Sequence, residues 1–208
     1  GTSTNQLYTI EYDFLSHSFR PPCPITCPCG NPGFLTPPDK SSSIIYCADE
    51  NKEGMLHTFR LTVKDTHPLL SLTSSVPAGV DPCHVAASPS LNLIFTSNYS
   101  SGNVAIHSMP SSPEAPPTLL HTLDLNKHYS TLSVDSSLHD RQEASHCHYS
   151  TFTDDGKFLL VCDLGSSSVT VFDLTTSPPS PVHTYSPSPD AGCRHLALVG
   201  DDVYIMCE

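Results

Sequence analysis

The stretch KFLLVCDLGSSSVTVFDL, Lys157 to Leu174, joins an apolar burst, an acidic residue, a Gly/Ser turn and a second, alternating run. Five consecutive apolar residues bounded by turn chemistry suit a strand buried on both faces, and LGSSS suits a tight antiparallel hairpin. The same order recurs in SIIYCADENKEGMLHTFRL, in LNLIFTSNYSSGNVAIHSM and, cut short, in DDVYIMCE. The polar residues that end the bursts are Asp49, Asn98, Asp163 and Cys207, at intervals of 49, 65 and 44 residues. A period near ~50 made of several short strands marks a propeller blade.

The repeat predicts an all-β chain, a β-propeller of four-stranded antiparallel blades. Residues 1–208 form a single partial domain of about three and a half blades, expected at 5–62, 69–109, 118–174 and, incomplete, 182–208. The apolar bursts read as inner strands, so that Asp49 with Glu50 and Asn98 with Tyr99 end them either as contributors to a site at one mouth of the channel or, more commonly, as plain polar hairpin ends. MPSSPEAPP (109–117) and TTSPPSPVHTYSPSPD (175–190) read as surface connections between blades. The chain opens on Gly1 and stops directly after a burst. Because a propeller closes to remove its sheet edges, part of a larger ring is expected.

A formal net charge of −12 gives little electrostatic support to a nucleic-acid or anionic-membrane partner. No apolar run approaches the ~18 residues of a membrane span, and GTSTNQLYTIEYDF alternates like a strand rather than a leader. The nine cysteines are odd in number, and several lie in apolar bursts; they read as reduced, buried hydrophobes in a cytoplasmic setting. CPITCPCG, with Cys23, Cys27 and Cys29, fits no zinc spacing and reads as a loop, so neither metal nor cofactor is expected.

Of four arginines, two stand in histidine motifs: Arg141 in RQEASHCH (141–148) and Arg194 in GCRHLAL (192–198). In an extended strand His146 and His148 share a face and Cys147 takes the other, leaving zinc short of ligands. Two readings stay open for the histidines: satisfied structural residues, or substrate binding and proton transfer. Asp81 and His84 in GVDPCH either line the channel or form a plain turn. The remaining histidines, among them His57, His107 and His139, form no cluster and read as surface or loop residues.

Three segments in order, GVDPCHVAASPSLNLIFTSNYSSGNVAI, RQEASHCHYSTFTDDGKFLLVCDLGSSSVTVFDL and GCRHLALVGDDVYIMCE, resemble the lactonase family of seven-bladed propellers. That family holds bacterial propeller-type 6-phosphogluconolactonases and fungal carboxy-cis,cis-muconate cyclases. The resemblance covers nearly the whole chain and the first half of the family's fold. It implies a hydrolase whose partner is a small anionic lactone, such as 6-phosphogluconolactone, or its open-chain acid. The lactonising cyclase reaction and a non-catalytic binding propeller are the alternatives.

The resemblance also implies site residues. Arg141, His146 and His148 match the family's Arg-Gln and His-x-His, Asp163 its Asp-Leu-Gly, Arg194 and His195 its Gly-Pro-Arg-His, and Glu208 its Asn-Glu. Cys193 and Cys207 stand where the family has Pro and Asn. Lactone hydrolysis needs an activated water, a stabilised oxyanion and a protonated leaving oxygen. His148 is assigned as general base or acid, Glu208 as its proton-transfer partner or orienter, and Arg194, with Arg141, as a group that binds the substrate anion and polarises the carbonyl. Arg141, His146, His195, Asp163 and His84 are assigned to substrate binding, with Asp163 alternatively holding its own turn.

Overall fold

A computed structural model describes residues 6–26, 29–64, 67–112, 114–129 and 141–208. Two short antiparallel pairs come first: β1 (Gln6–Thr9) with β4 (Cys23–Thr26), and β2 (Tyr12–Asp13) with β3 (Ser18–Phe19). Three four-stranded antiparallel sheets follow, each in chain order. The first is β5 (Pro32–Thr36), β6 (Ile44–Asp49), β7 (Met55–Lys64) and β8 (His67–Pro77). The second is β9 (Pro82–Ser88), β10 (Leu93–Asn98), β11 (Asn103–Ser108) and β12 (Thr118–Asp124), with a helical turn α1 (Asn126–Tyr129) after it. The third is β13 (Cys147–Phe152), β14 (Phe158–Asp163), β15 (Ser168–Asp173) and β16 (Ser180–Tyr185); β17 (Cys193–Val199) and β18 (Asp202–Cys207) pair to start a fourth.

The apolar bursts are strands because each is sandwiched between neighbouring sheets. Along β14, Leu159 and Val161 pack with Phe95, Val104 and Cys147 on one side, while Leu160 and Cys162 pack with Cys193 and Leu196 on the other. Tyr46, Ala48 and Leu56 meet Val85 and Ile94 in the same way between the first and second sheets. Burial on both faces explains why these strands read as continuous apolar runs without alternation.

The sheets divide the chain differently from the expected limits. The bursts are second strands, not inner ones; the inner strands are β5, β9, β13 and β17. The fourth strands, β8, β12 and β16, pair back onto the third. MPSSPEAPP therefore links β11 to β12 inside a blade, and TTSPPSPVHTYSPSPD contains β16. Proline breaks the hairpin without ending the blade, because a fourth strand on an outer edge can pair after a long turn.

Two histidines expected on the surface are buried. His57 Nε2 lies 3.2 Å from Asp49 Oδ2 and its Nδ1 lies 2.7 Å from Ser75 Oγ, tying β8 through β7 to β6. Asp49 also accepts the backbone N–H groups of Gly30 and Asn31, so this Ser-His-Asp relay is spent on holding the turn before β5. His107 reaches across to the carbonyl of Pro77, 3.1 Å away, and joins the second sheet to the first. Seven of the described cysteines are free thiols, whereas Cys29 is disulfide-bonded, a departure from the fully reduced expectation. Cys27 and His139 lie outside the described residues.

Candidate active site at the channel mouth

The site is built by one local irregularity repeated in the three four-stranded sheets and in the β17–β18 pair. Pro32 pairs with Asp49, Pro82 with Asn98, Cys147 with Asp163 and Cys193 with Cys207; one residue further on, each register slips. The residues left over are Gly33, Cys83, His148 and Arg194. A bulge re-aims its extra side chain and bends the strand, and here four bulges lie at equivalent places on successive inner strands.

A second layer accompanies them. The residue after each second strand donates its N–H to the carbonyl just before the inner strand: Glu50 to Asn31 (2.8 Å), Tyr99 to Asp81 (2.9 Å), Leu164 to His146 (2.9 Å) and Glu208 to Gly192 (3.0 Å). Glu50, Tyr99, Leu164 and Glu208 are thus equivalent positions beside the bulges. One step below, Phe34, His84, Tyr149 and His195 make a continuous aromatic ladder, with successive ring centroids 4.4, 4.2 and 5.3 Å apart. This ladder forms a packed floor under the bulge layer.

His148, Arg194, His195, Arg141 and Glu208 come together. Glu208 forms ion pairs with Arg141 and, at 2.6 Å, with Arg194 Nε; the two guanidinium groups hold its carboxyl below the usual range. Arg141 also reaches the Tyr99 hydroxyl. His148 is half-buried, with its ring 5.0 Å from His195 and 6.2 Å from Tyr99, and its Nδ1 has no hydrogen-bond partner. Burial, then Arg194 and His195, push its pKa down to about 4, so the free site holds a neutral imidazole at pH 7.

Three expected contacts are placed elsewhere. Alternation predicts one face for His146 and His148, but His146 precedes β13 and His148 is itself the bulge residue, so alternation does not connect the two. It is 6% exposed and stacks on Tyr99 at 4.2 Å; its Nδ1 lies 3.0 Å from the Tyr99 carbonyl and its Nε2 3.0 Å from Glu143 Oε1. His84 is buried in the ladder between Phe34 and Tyr149, with its pKa pushed down to about 3 by burial.

Asp163 does not face the channel: it is 1% exposed and accepts hydrogen bonds from Ser145 Oγ, from His146 N–H at 2.7 Å and from Ser166 N–H at 3.2 Å. It holds its turn, the alternative left open for it. Gly165 completes that turn, since a Cβ there would lie 1.8 Å from the Ala144 carbonyl oxygen. Replacing Asp163 by alanine strands these buried donors and is expected to cost about 2–3 kcal/mol in urea denaturation, with Asp163→Asn recovering part of it. An unchanged midpoint for Asp163→Ala would contradict this role.

Sequence reasoning underweighted Glu50, Tyr99 and Cys83. Their signal is positional: each occupies the bulge or the residue after a second strand in its blade. The Cys83 thiol sits 3.4–3.6 Å from the carbonyls of Ser97, Cys147 and His148; burial and Glu50 push its pKa up to about 12, which makes it a poor nucleophile. A cavity of about 800 Å³ borders Asp49, His57 and Ser75 but includes none of the bulge residues.

Sheets that follow one another around a channel, with polar groups gathered at one mouth, define a β-propeller with a channel-mouth site. The family model described as "Lactonase, 7-bladed beta-propeller" matches residues 1–208, and the chain belongs to that family. It is similar to the 6-phosphogluconolactonase of Bacillus subtilis, 24% identical over 205 residues that make 97% of this chain and 55% of that protein. An uncharacterized protein of Lactococcus lactis is 29% identical over 81% of this chain and 45% of its own length. The chain thus spans about half the length of the curated relatives it matches. Its fold superposes on the periplasmic gluconolactonase PpgL of Pseudomonas aeruginosa with a TM-score of 0.77 at 21% identity, covering 100% of this chain and 59% of that one.

Proposed function

We propose that the full-length protein hydrolyses a small anionic lactone of the 6-phosphogluconolactone type. The observation that carries the reading is a neutral imidazole, His148, beside two arginines held by one glutamate. Arg141, the more exposed of the two, takes the substrate's anionic group in a charge-assisted contact, and Arg194 faces the carbonyl oxygen where negative charge develops. Glu208 remains a carboxylate between them and orients both guanidiniums, which favours its orienting role over proton transfer.

The chemistry follows in order. A water attacks the lactone carbonyl carbon while His148 accepts its proton. The oxyanion collapses, the ring C–O bond breaks, and the leaving oxygen takes a proton. In the free site Arg194 depresses the basicity of His148; an anion lodged against the arginines offsets that charge and returns the imidazole toward neutral pH. Substrate binding therefore prepares its own base.

The test is lactone hydrolysis by the full-length protein against the spontaneous rate. Acceleration is expected, with Arg194→Ala lowering kcat/KM roughly 10- to 100-fold, the range of a lost charge-assisted contact of 1.5–3 kcal/mol. Equal rates with and without protein would sink the reading.

A further inference from the structure

Glu208 cannot easily supply the proton that the leaving oxygen needs, because two guanidiniums hold it ionised. His148, neutral in the free site, is assigned to remove a proton from water. The layer beside the bulges contains a second glutamate, Glu50, at the position in the first blade that Glu208 holds in the fourth. Its surroundings are the reverse. Among the described residues no hydrogen bond or ion pair engages its carboxyl group, whereas both Glu208 oxygens face arginines.

Gly33 makes room for it. In the other three blades the bulge residue carries a side chain, but a Cβ on Gly33 would lie 2.7 Å from Glu50 Oε2 and 3.1 Å from Glu50 Cβ. The missing side chain lets the glutamate lean over its own bulge. The groups that act on it electrostatically come from other blades: Asp81 and Cys83 from the second, Arg194 from the fourth.

We propose that Glu50 is the catalytic acid that protonates the departing ring oxygen of the lactone, an assignment that rests on the lactonase reading above. In the step, the acyl C–O bond breaks, its electron pair stays on the ring oxygen, and the Glu50 proton forms the new hydroxyl. The proton that His148 took from water returns to Glu50 through solvent, so the net reaction is lactone plus water giving hydroxy acid. Burial and then Asp81 raise the Glu50 pKa, only partly opposed by Arg194. Two glutamates at one mouth are thereby pushed in opposite directions, the arrangement that separates an acid from an electrostatic partner.

On the full-length protein, Glu50→Gln is expected to lower kcat on 6-phosphogluconolactone about 100-fold with KM within about twofold, the size of a lost general acid. The wild-type rate falls on the alkaline side as Glu50 ionises; that limb disappears in Glu50→Gln, and Glu50→Asp recovers part of the rate. A wild-type enzyme that works while Glu50→Gln keeps its kcat, or keeps the alkaline limb, overturns the assignment and leaves the lactonase reading standing. A wild type that does no better than the spontaneous rate overturns both. Carbon-13 titration of the wild-type carboxyls needs no variant: Glu50 is expected to titrate above 4.5 and Glu208 below it, and the opposite order overturns the proposal.

Discussion

In the full-length protein, and on the lactonase reading proposed above, substituting alanine for His148 is expected to lower kcat for lactone hydrolysis roughly 10²- to 10⁴-fold, the range for loss of a general base. Stability changes little, because the ring is half-buried, its Nδ1 makes no hydrogen bond, and its contacts are edge contacts with His195 and Tyr99. The pH dependence tests the same residue more sharply. In the free protein its pKa of about 4 places the acid limb of kcat/KM near that value, with activity lost as pH falls through it. The acid limb of kcat lies higher, since a bound anion offsets Arg194. Coincident acid limbs, or a His148→Ala enzyme within a few fold of wild type, would remove His148 from the mechanism.

The second large effect is on stability in acid. His84 is enclosed between Phe34 and Tyr149 and has a folded-state pKa of about 3, against 6.5 in the unfolded chain. The unfolded state binds the proton more readily, so this contribution is fully present above pH 6.5 and is lost as pH falls toward 3. Between pH 6.5 and 4.5 His84 alone should remove about 2–3 kcal/mol, at 1.36 kcal/mol per pH unit. His84→Phe keeps a ring in the ladder and cannot be protonated. Urea denaturation at both pH values should show a smaller loss for the variant, the residual slope coming in part from His107 and His148, whose pKa values are also lowered by burial. Equal losses in both proteins would show that the ladder tolerates a charged ring.

The two effects separate because the layers do. Of the bulge residues, His148 and Arg194 carry the proposed chemistry beside Glu208; the residues one step further along the strands pack on one another. His148 and Tyr149 are neighbours in sequence with different duties, as are Arg194 and His195.

Much of the fold was legible. The hairpins around Asp49, Asn98 and Asp163 form at the expected turns, because a strand buried on both sides leaves a run such as FLLVC that no surface strand needs. The blade limits were not legible, since the strand that follows a proline-rich turn carries no mark of which neighbour it pairs with. TLLHTLD and SPVHTY join the strand before them only because the sheet edge there is open to them.

The site divides along the same line. Arg141, His148, Arg194, His195 and Glu208 could be picked out from their motifs, and they meet. His146 and Asp163 came from the same motifs and His84 from GVDPCH, and all three are buried with partners inside the protein. Alternation is a rule for an unbroken strand, and a bulge resets it; nothing in RQEASHCH marks where the extra residue falls, because the slip is fixed by Asp163 pairing with Cys147 from a different strand. The sequence alone therefore determined what depends on neighbours along the chain: strand runs, turns, and which chemical groups are present. Only the tertiary structure decided which of those groups share a space, because Glu50, His148, Arg194 and Glu208 are brought together by blades far apart in the chain, and their charges are set by one another.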